Sequence, residues 1–278
     1  MSILLFTLIL LAGAFVAGLL GSLTGLGGGV VLIPLLTLVF GVDIRYAIGS
    51  ALVASIATSS GSAAAYIKEG ITNIRVGMFL EIATTTGAIV GALIAVYTAT
   101  HIVAIIFGIV LLFSAMMSMR KKNEGAETEE KSLLARRLKL NGSYPSKQGT
   151  VEYKVQRVAG GYALMTLAGV ISGLLGIGSG ALKVLAMDTV MRVPFKVSTT
   201  TSNFMIGVTA AASAVVYLQR GYIDPGLAMP VVIGVLGGAF AGSRILVGAS
   251  TKKLRILFSI VISFLALEMI YNGLMGNL

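Results

Sequence analysis

The chain has 278 residues, 56% of them hydrophobic and only 12% charged, with a formal net charge of +10. Soluble domains carry about 25% charged residues, so this composition excludes an ordinary globular domain and describes a polytopic helical membrane protein. The absence of cysteine excludes disulfides, thiolate metal sites and a cysteine nucleophile.

The N-terminal stretch MSILLFTLILLAGAFVAGLL lacks the basic n-region and small-residue cleavage site of a signal peptide, and is read as a retained first span over 3–20. It runs into GLLGSLTGLGGGVVLIP (18–34), a glycine cluster inside what should be a span. Each glycine weakens a helix by roughly 1 kcal/mol relative to alanine, so such a cluster points to a break that is put to use. A short piece at 28–40 follows, then apolar stretches at 47–67, 75–97 and 101–119, each predicted to cross a core of about 30 Å.

Composition changes over 120–157, which holds ten of the 21 Lys and Arg residues. This linker contains the turn-prone NGSYPS and reads as a solvated tether, with KSLLARRLKL as a basic amphipathic helix on the anionic leaflet the other reading. Most remaining basic residues flank apolar stretches. The positive charge is therefore a topology signal and implies no nucleic-acid partner.

The second half resumes with apolar stretches at 160–173, 202–218, 227–247 and 255–271, and a short piece at 179–191. Its glycine cluster, GVISGLLGIGSGALKVL (169–185), lies 151 residues after the first, with Gly169 falling on Gly18. At that offset, without a gap, Gly25, Gly27 and Gly29 fall on Gly176, Gly178 and Gly180, and Thr58, Ser62, Tyr66 and Gly70 fall on Thr209, Ser213, Tyr217 and Gly221. Gly87 and Gly91 likewise fall on Gly238 and Gly242, GxxxG pairs read as helix-packing sites. Roughly a fifth of the aligned positions are identical, which marks an internal repeat.

Four crossings per half would leave the repeats parallel, and five would invert them. With a cytoplasmic linker, five crossings also place Lys68, Arg75, Arg192, Lys196, Lys252, Lys253 and Arg255 inside, leaving Arg45 and Arg220 outside. The positive-inside rule prefers five. The expected fold is thus an all-α membrane protein of two inverted repeats, 1–119 and 158–278, joined by the cytoplasmic linker 120–157, with both termini external.

Interrupted spans at matching places in inverted repeats point to a transport site near the bilayer midplane. The first N–H groups of a helix lack internal partners and carry partial positive charge, so two such ends can hold a small anion between them. Gly27, Gly28 and Gly29 with Gly178, Ser179 and Gly180 form the expected donor set, Ser179 adding a hydroxyl.

The two clusters, with AIGSAL at 47–52 and STTTSN at 198–203, resemble the sulfite exporter TauE/SafE family, whose repeats carry a G-x-G-G-G-x-x-x-x-P signature. GLGGGVVLIP (25–34) matches it fully; in the second repeat Ser179 replaces a glycine and Leu185 the proline. The resemblance implies outward transport of sulfite or sulfonate-type anions across a bacterial or archaeal inner membrane. A small sulfur oxyanion and membrane lipids are the expected partners, a homodimer is one assembly considered, and neither cofactor nor metal is expected.

Ionisable residues inside spans are functional candidates. Lys183, on the first turn after the second break, opposes the helix dipole. An anion, or a carboxylate such as Asp188 or Glu81, would relieve that cost. Glu81 and Arg244 are expected to form a buried pair, with proton coupling through Glu81 the alternative. Glu268 is expected near the external end. The polar run Thr199–Asn203 is placed at a helix start, with Thr201, Asn203 and Ser50, the counterpart of Thr201, as cavity-lining candidates. An enzyme is not expected, since the only histidine is His101 and no nucleophile–base or metal motif occurs. A passive small-anion channel, or a carrier for another sulfur anion, is the competing function.

Overall fold

The computed structural model describes residues 3–24, 28–119, 132–146, 149–248 and 251–276. The first repeat comprises α1 (Ile3–Thr24), α2 (Gly29–Pro34) running into a π-helical turn (Leu35–Val39), α3 (Ile44–Lys68), α4 (Ile74–Tyr97) and α5 (Thr100–Met119). The linker contributes α6 (Leu133–Arg137) and the strands β1 (Gly142–Ser146) and β2 (Gly149–Tyr153). The second repeat comprises α7 (Val158–Leu175), α8 (Gly180–Leu185) with a π-helical turn (Ala186–Val190), α9 (Phe195–Gln219), α10 (Pro225–Gly248) and α11 (Thr251–Met275).

Among the described residues, six helices are long and apolar enough to cross a membrane. Large apolar side chains cover the outer face of the bundle, among them Leu4 (71% exposed), Ile82 (61%) and Phe264 (64%). Such a belt suits a molecule whose surrounding solvent is hydrocarbon.

Contacts trace the path of the chain. After α1 reaches its far end, Gly28 lies back beside Ala17, Leu35 beside Gly13, and the Phe40 ring packs on Phe6 at 5.1 Å. The short helix Gly29–Val39 therefore returns antiparallel to α1, covering about 16 Å as helix, half of a hydrocarbon core. Then α3 crosses to put Tyr66 level with Ser22, and α4 comes back to put Thr98 beside Arg45. The second repeat starts at the opposite end: Gln156 N–H donates to Met191 O (2.9 Å), and Arg220 at the end of α9 reaches Tyr97. The chain thus enters its two halves from opposite ends of the bundle.

Each fourth helix packs into the other repeat, α4 along α7 and α9, and α10 along α1 and α3. Small residues make this exchange possible. A methyl group at Gly87 or Gly91 would overlap the carbonyl oxygens of Thr166 and Val170, and at Gly238 or Gly242 it would meet those of Phe15 and Leu19, the matching positions. The same correspondence holds for polar contacts. Tyr66 donates to Ser22 O (3.1 Å) and Tyr217 to Gly173 O (3.5 Å). Where α5 meets α11, Gly108 abuts Ala266 O, and its counterpart Ser259 donates to Ala115 O (3.3 Å).

Both short helices end in a π turn, one containing Pro34 just before it and one without proline. The turn is therefore set by packing rather than by a missing proline N–H.

The linker departs from the expected tether over 132–157; residues 120–131 lie outside the described set. The Ser132 hydroxyl caps α6 by accepting from Ala135 N–H (3.2 Å), and NGSYPS is largely strand β1 rather than a turn. Ala135, Leu140 and Val155 are buried against Val76, Met187 and Met191, enough apolar contact to fold this segment onto the bundle. Asn73 ties the joint. Its side-chain amide donates to Leu140 O (2.9 Å) and to the Tyr153 hydroxyl (2.7 Å), while its Oδ1 caps α4 through Val76 N–H (3.0 Å). Burial raises the pKa of the Tyr153 hydroxyl, keeping it protonated, and the Asn73 hydrogen bond opposes the shift. Asn141 spends its Oδ1 on Val155 N–H (2.9 Å).

Candidate functional site

The second break is built by three left-handed residues. Gly176 (φ +66°) ends α7 by donating its N–H to Ser172 O (2.8 Å), Gly178 (φ +68°) lies against Ile206, and Ser179 (φ +47°) precedes α8. Glycine adopts this conformation freely; at Ser179 it costs of order 1 kcal/mol, which the surrounding packing must cover. Ser179 is 2% exposed and its hydroxyl makes no hydrogen bond.

The two breaks meet at the bundle centre. Gly29, at the start of α2, faces Gly176 O and the Ser55 hydroxyl, while Gly28 faces Thr58. Gly27 lies outside the described residues. Gly180 O accepts from Ser202 (3.3 Å). Ser50, Ser55, Ser179 and Thr199 all carry buried hydroxyls without a partner, and Asn203 Oδ1 is buried and unpaired. Buried polar atoms are nearly always hydrogen-bonded, and of these Ser55, which faces Gly29, and Ser179, which precedes α8, lie at the breaks.

Lys183 is fully buried on α8. Its ammonium donates to Thr209 Oγ1 (2.5 Å), and the Thr209 hydroxyl donates to Glu81 Oε1 (2.5 Å), which also accepts from Thr85 (3.1 Å). Glu81 Oε2 lies 4.0 Å from Lys183 Nζ and has no hydrogen bond. The three residues come from α8, α9 and α4, so the exchanged fourth helix supplies the carboxylate.

This corrects the expected Glu81–Arg244 pair. Arg244 is exposed and its guanidinium stacks over Phe240 at 4.2 Å, because α10 belongs to the other packing unit. Asp188 lies beyond Lys183 in the π turn, half-buried, while Glu81 takes the place beside the lysine. Glu268 is half-buried in α11, where the Asn272 amide donates to its backbone oxygen (2.9 Å) and, more weakly, to its carboxylate (3.4 Å).

The polar run sits further inside its helix than expected, since α9 begins at Phe195. Thr201 Oγ1 accepts from Asn73 N–H (3.0 Å), placing it at the α3–α4 connection rather than at the breaks. The Asn203 side-chain amide donates to Ser22 O (3.4 Å), and its backbone carbonyl accepts from Ser59 (2.6 Å). Thr209 and Ser55 are the residues that sequence reasoning undervalued. Thr209 was legible as the repeat partner of Thr58, but only its helix neighbours reveal the bridge. Among the described residues no group of three or more His, Cys, Asp or Glu could hold a metal ion.

A broken-helix centre inside an apolar, inverted bundle agrees with the comparisons with known proteins. The chain is 28% identical over 274 residues to "Probable membrane transporter protein YunE" of Bacillus subtilis (strain 168), covering 96% of this chain and 98% of that protein. It is 25% identical over 230 residues to "Probable membrane transporter protein YdhB" of the same organism, covering 83% and 86%. With "Probable membrane transporter protein" of Xylella fastidiosa (strain 9a5c) it shares 23% over 265 residues, 94% of each. No solved structure matches. The family described as Sulfite exporter TauE/SafE matches residues 10–269, so this membrane transporter belongs to that family.

Proposed function

We propose that the protein is a secondary transporter that exports a small sulfur oxyanion, sulfite or a sulfonate, by alternating access across a bacterial or archaeal inner membrane. The observation that carries this reading is the fully buried Lys183 on the first turn of α8, whose N–H donates to the backbone oxygen of Ser179 (3.0 Å), itself buried with an unpaired hydroxyl. An oxyanion is rich in acceptor oxygens and carries the charge that a buried ammonium attracts. Gly28, Gly29 and Gly180 allow the backbone to approach it closely.

The second end of the bundle gathers Lys68, Arg75, Arg136, Arg137, Lys139, Arg192 and Lys196, against Arg45 and Arg220 at the first. By the positive-inside rule the second end, with the linker, is cytoplasmic and both termini are external.

Radiolabelled sulfite flux into proteoliposomes, in competition with sulfate, thiosulfate and a C2 sulfonate, tests the reading. Saturable flux blocked selectively by one competitor is expected. Unsaturable flux would identify a passive channel, and no flux above empty liposomes for any of these anions would reject the substrate class.

A further inference from the structure

Lys183 cannot stay charged in the bundle centre without a counter-charge, and two candidates exist for that place: Glu81 and the transported anion. Removing an ion from water costs several kcal/mol even after relaxation, so an unpaired ammonium or an unpaired carboxylate is each strongly disfavoured. Thr209 joins the two charges through a directional chain, ammonium to hydroxyl to carboxylate. When an anion arrives, one negative charge too many occupies a buried site. Like charges at such a place cannot both persist, and one carboxylate proton resolves the conflict.

We propose that Glu81 is the coupling group of this transporter: it neutralises Lys183 in the empty site and takes up a proton when the anion takes over the lysine. Each anion then moves together with about one proton, and the inference rests on the anion-transport reading above. Thr209 is a positioning residue. Its hydroxyl can turn from Glu81 to the substrate while still accepting from Lys183, so the ammonium need not move.

The other charged or titratable groups on the surrounding elements do not compete. On α4 itself Arg75 is exposed at the first turn, on α9 Lys196 is exposed at the first turn, and on α7 Tyr162 packs on Phe79 with ring centroids 5.4 Å apart. Asp188 follows Lys183 in the adjoining π turn and is half-buried. On α5, which also touches α8, His101 is exposed in the first turn at the opposite end. Lys183 is thus the cation set against Glu81.

The test measures protons taken up when sulfite is added to the purified full-length protein in weakly buffered detergent, together with sulfite flux in liposomes with and without a pH gradient. The readout is the difference between wild type and Glu81→Gln with the same probe, which cancels protons exchanged by sulfite itself. Wild type is expected to take up about one proton per anion more than Glu81→Gln, and only wild-type flux should follow the gradient. Glu81→Asp keeps the carboxyl and is expected to keep both properties. Should Glu81→Gln not fold, the double variant Glu81→Gln/Lys183→Met leaves no stranded charge and is expected to show no excess uptake. Equal proton uptake in wild type and the Gln variants, or wild-type binding and flux indifferent to the gradient, would overturn this inference and leave anion transport standing. Absence of sulfite binding by wild type would overturn both.

Discussion

Leu32 on α2 and Lys183 on α8 stand at matching positions, both fully buried, in surroundings of opposite character. Around Lys183 are Thr209 and, from the exchanged α4, Glu81. The corresponding residues around Leu32 are Thr58, whose hydroxyl turns back to Ala54 O (2.8 Å) in its own helix, and Val232 on α10. The backbone contacts of the halves correspond closely, while the charges occur once. Symmetry here supplies the scaffold and the two breaks; the chemistry was placed in one half of it. A single charged pair is also the economical arrangement, since every buried ion carries a desolvation cost.

The largest effects should come from moving charge between the halves. Lys183→Met strands Glu81, and Leu32→Lys strands a cation, each expected to lower stability by about 3–5 kcal/mol in thermal unfolding of the purified protein. Adding Val232→Glu to Leu32→Lys should recover part of the loss. A Leu32→Lys protein as stable as wild type would show that the apolar half is not the dry counterpart described above.

Next come substitutions that should cost the same in both halves. Gly91→Leu and Gly242→Leu drive a side chain into the backbone of α7 and α1 respectively, at about 1–3 kcal/mol or more each. Unequal unfolding temperatures for the two would break the scaffold equivalence. Asn73 and Asp224 are matching helix-start residues, but only Asn73 also holds the linker. Asn73→Ala is expected to cost about 2 kcal/mol and to speed proteolysis within 132–157, whereas Asp224→Ala should cost about 1 kcal/mol with no change there. The smallest difference concerns the paired tyrosines. Tyr66→Phe should lose about 1 kcal/mol and Tyr217→Phe about half as much, following their hydrogen-bond lengths of 3.1 and 3.5 Å.

Much of this was readable residue by residue. The recurrence of Gly18, Gly87 and Tyr66 at Gly169, Gly238 and Tyr217 announced two copies of one unit, and the glycine clusters marked where the helices break. Apolar length alone identified the spans. Lys183 stood out because a cation near the start of a buried helix needs a partner.

What the linear order could not state is which helix neighbours which. Hydrophobic periodicity and glycine spacing describe one helix at a time, and in a membrane every span is apolar enough to pack on any other. Glu81 could therefore be matched to Arg244, the cation on the other fourth helix, with equal formal merit. Only the exchange of α4 and α10, decided by close backbone approach at Gly87, Gly91, Gly238 and Gly242, brought Glu81 to Lys183 and left Arg244 facing outward. The linker illustrates the same limit. Its charges predicted solvent, but Leu140 and Val155 find apolar partners on α4 and beyond α8 once the bundle exists, and the segment folds there. Sequence determined the repeat, the breaks and the membrane setting through local propensity and hydropathy. Tertiary packing decided the partner of the buried lysine, because pairing is a property of surfaces that meet.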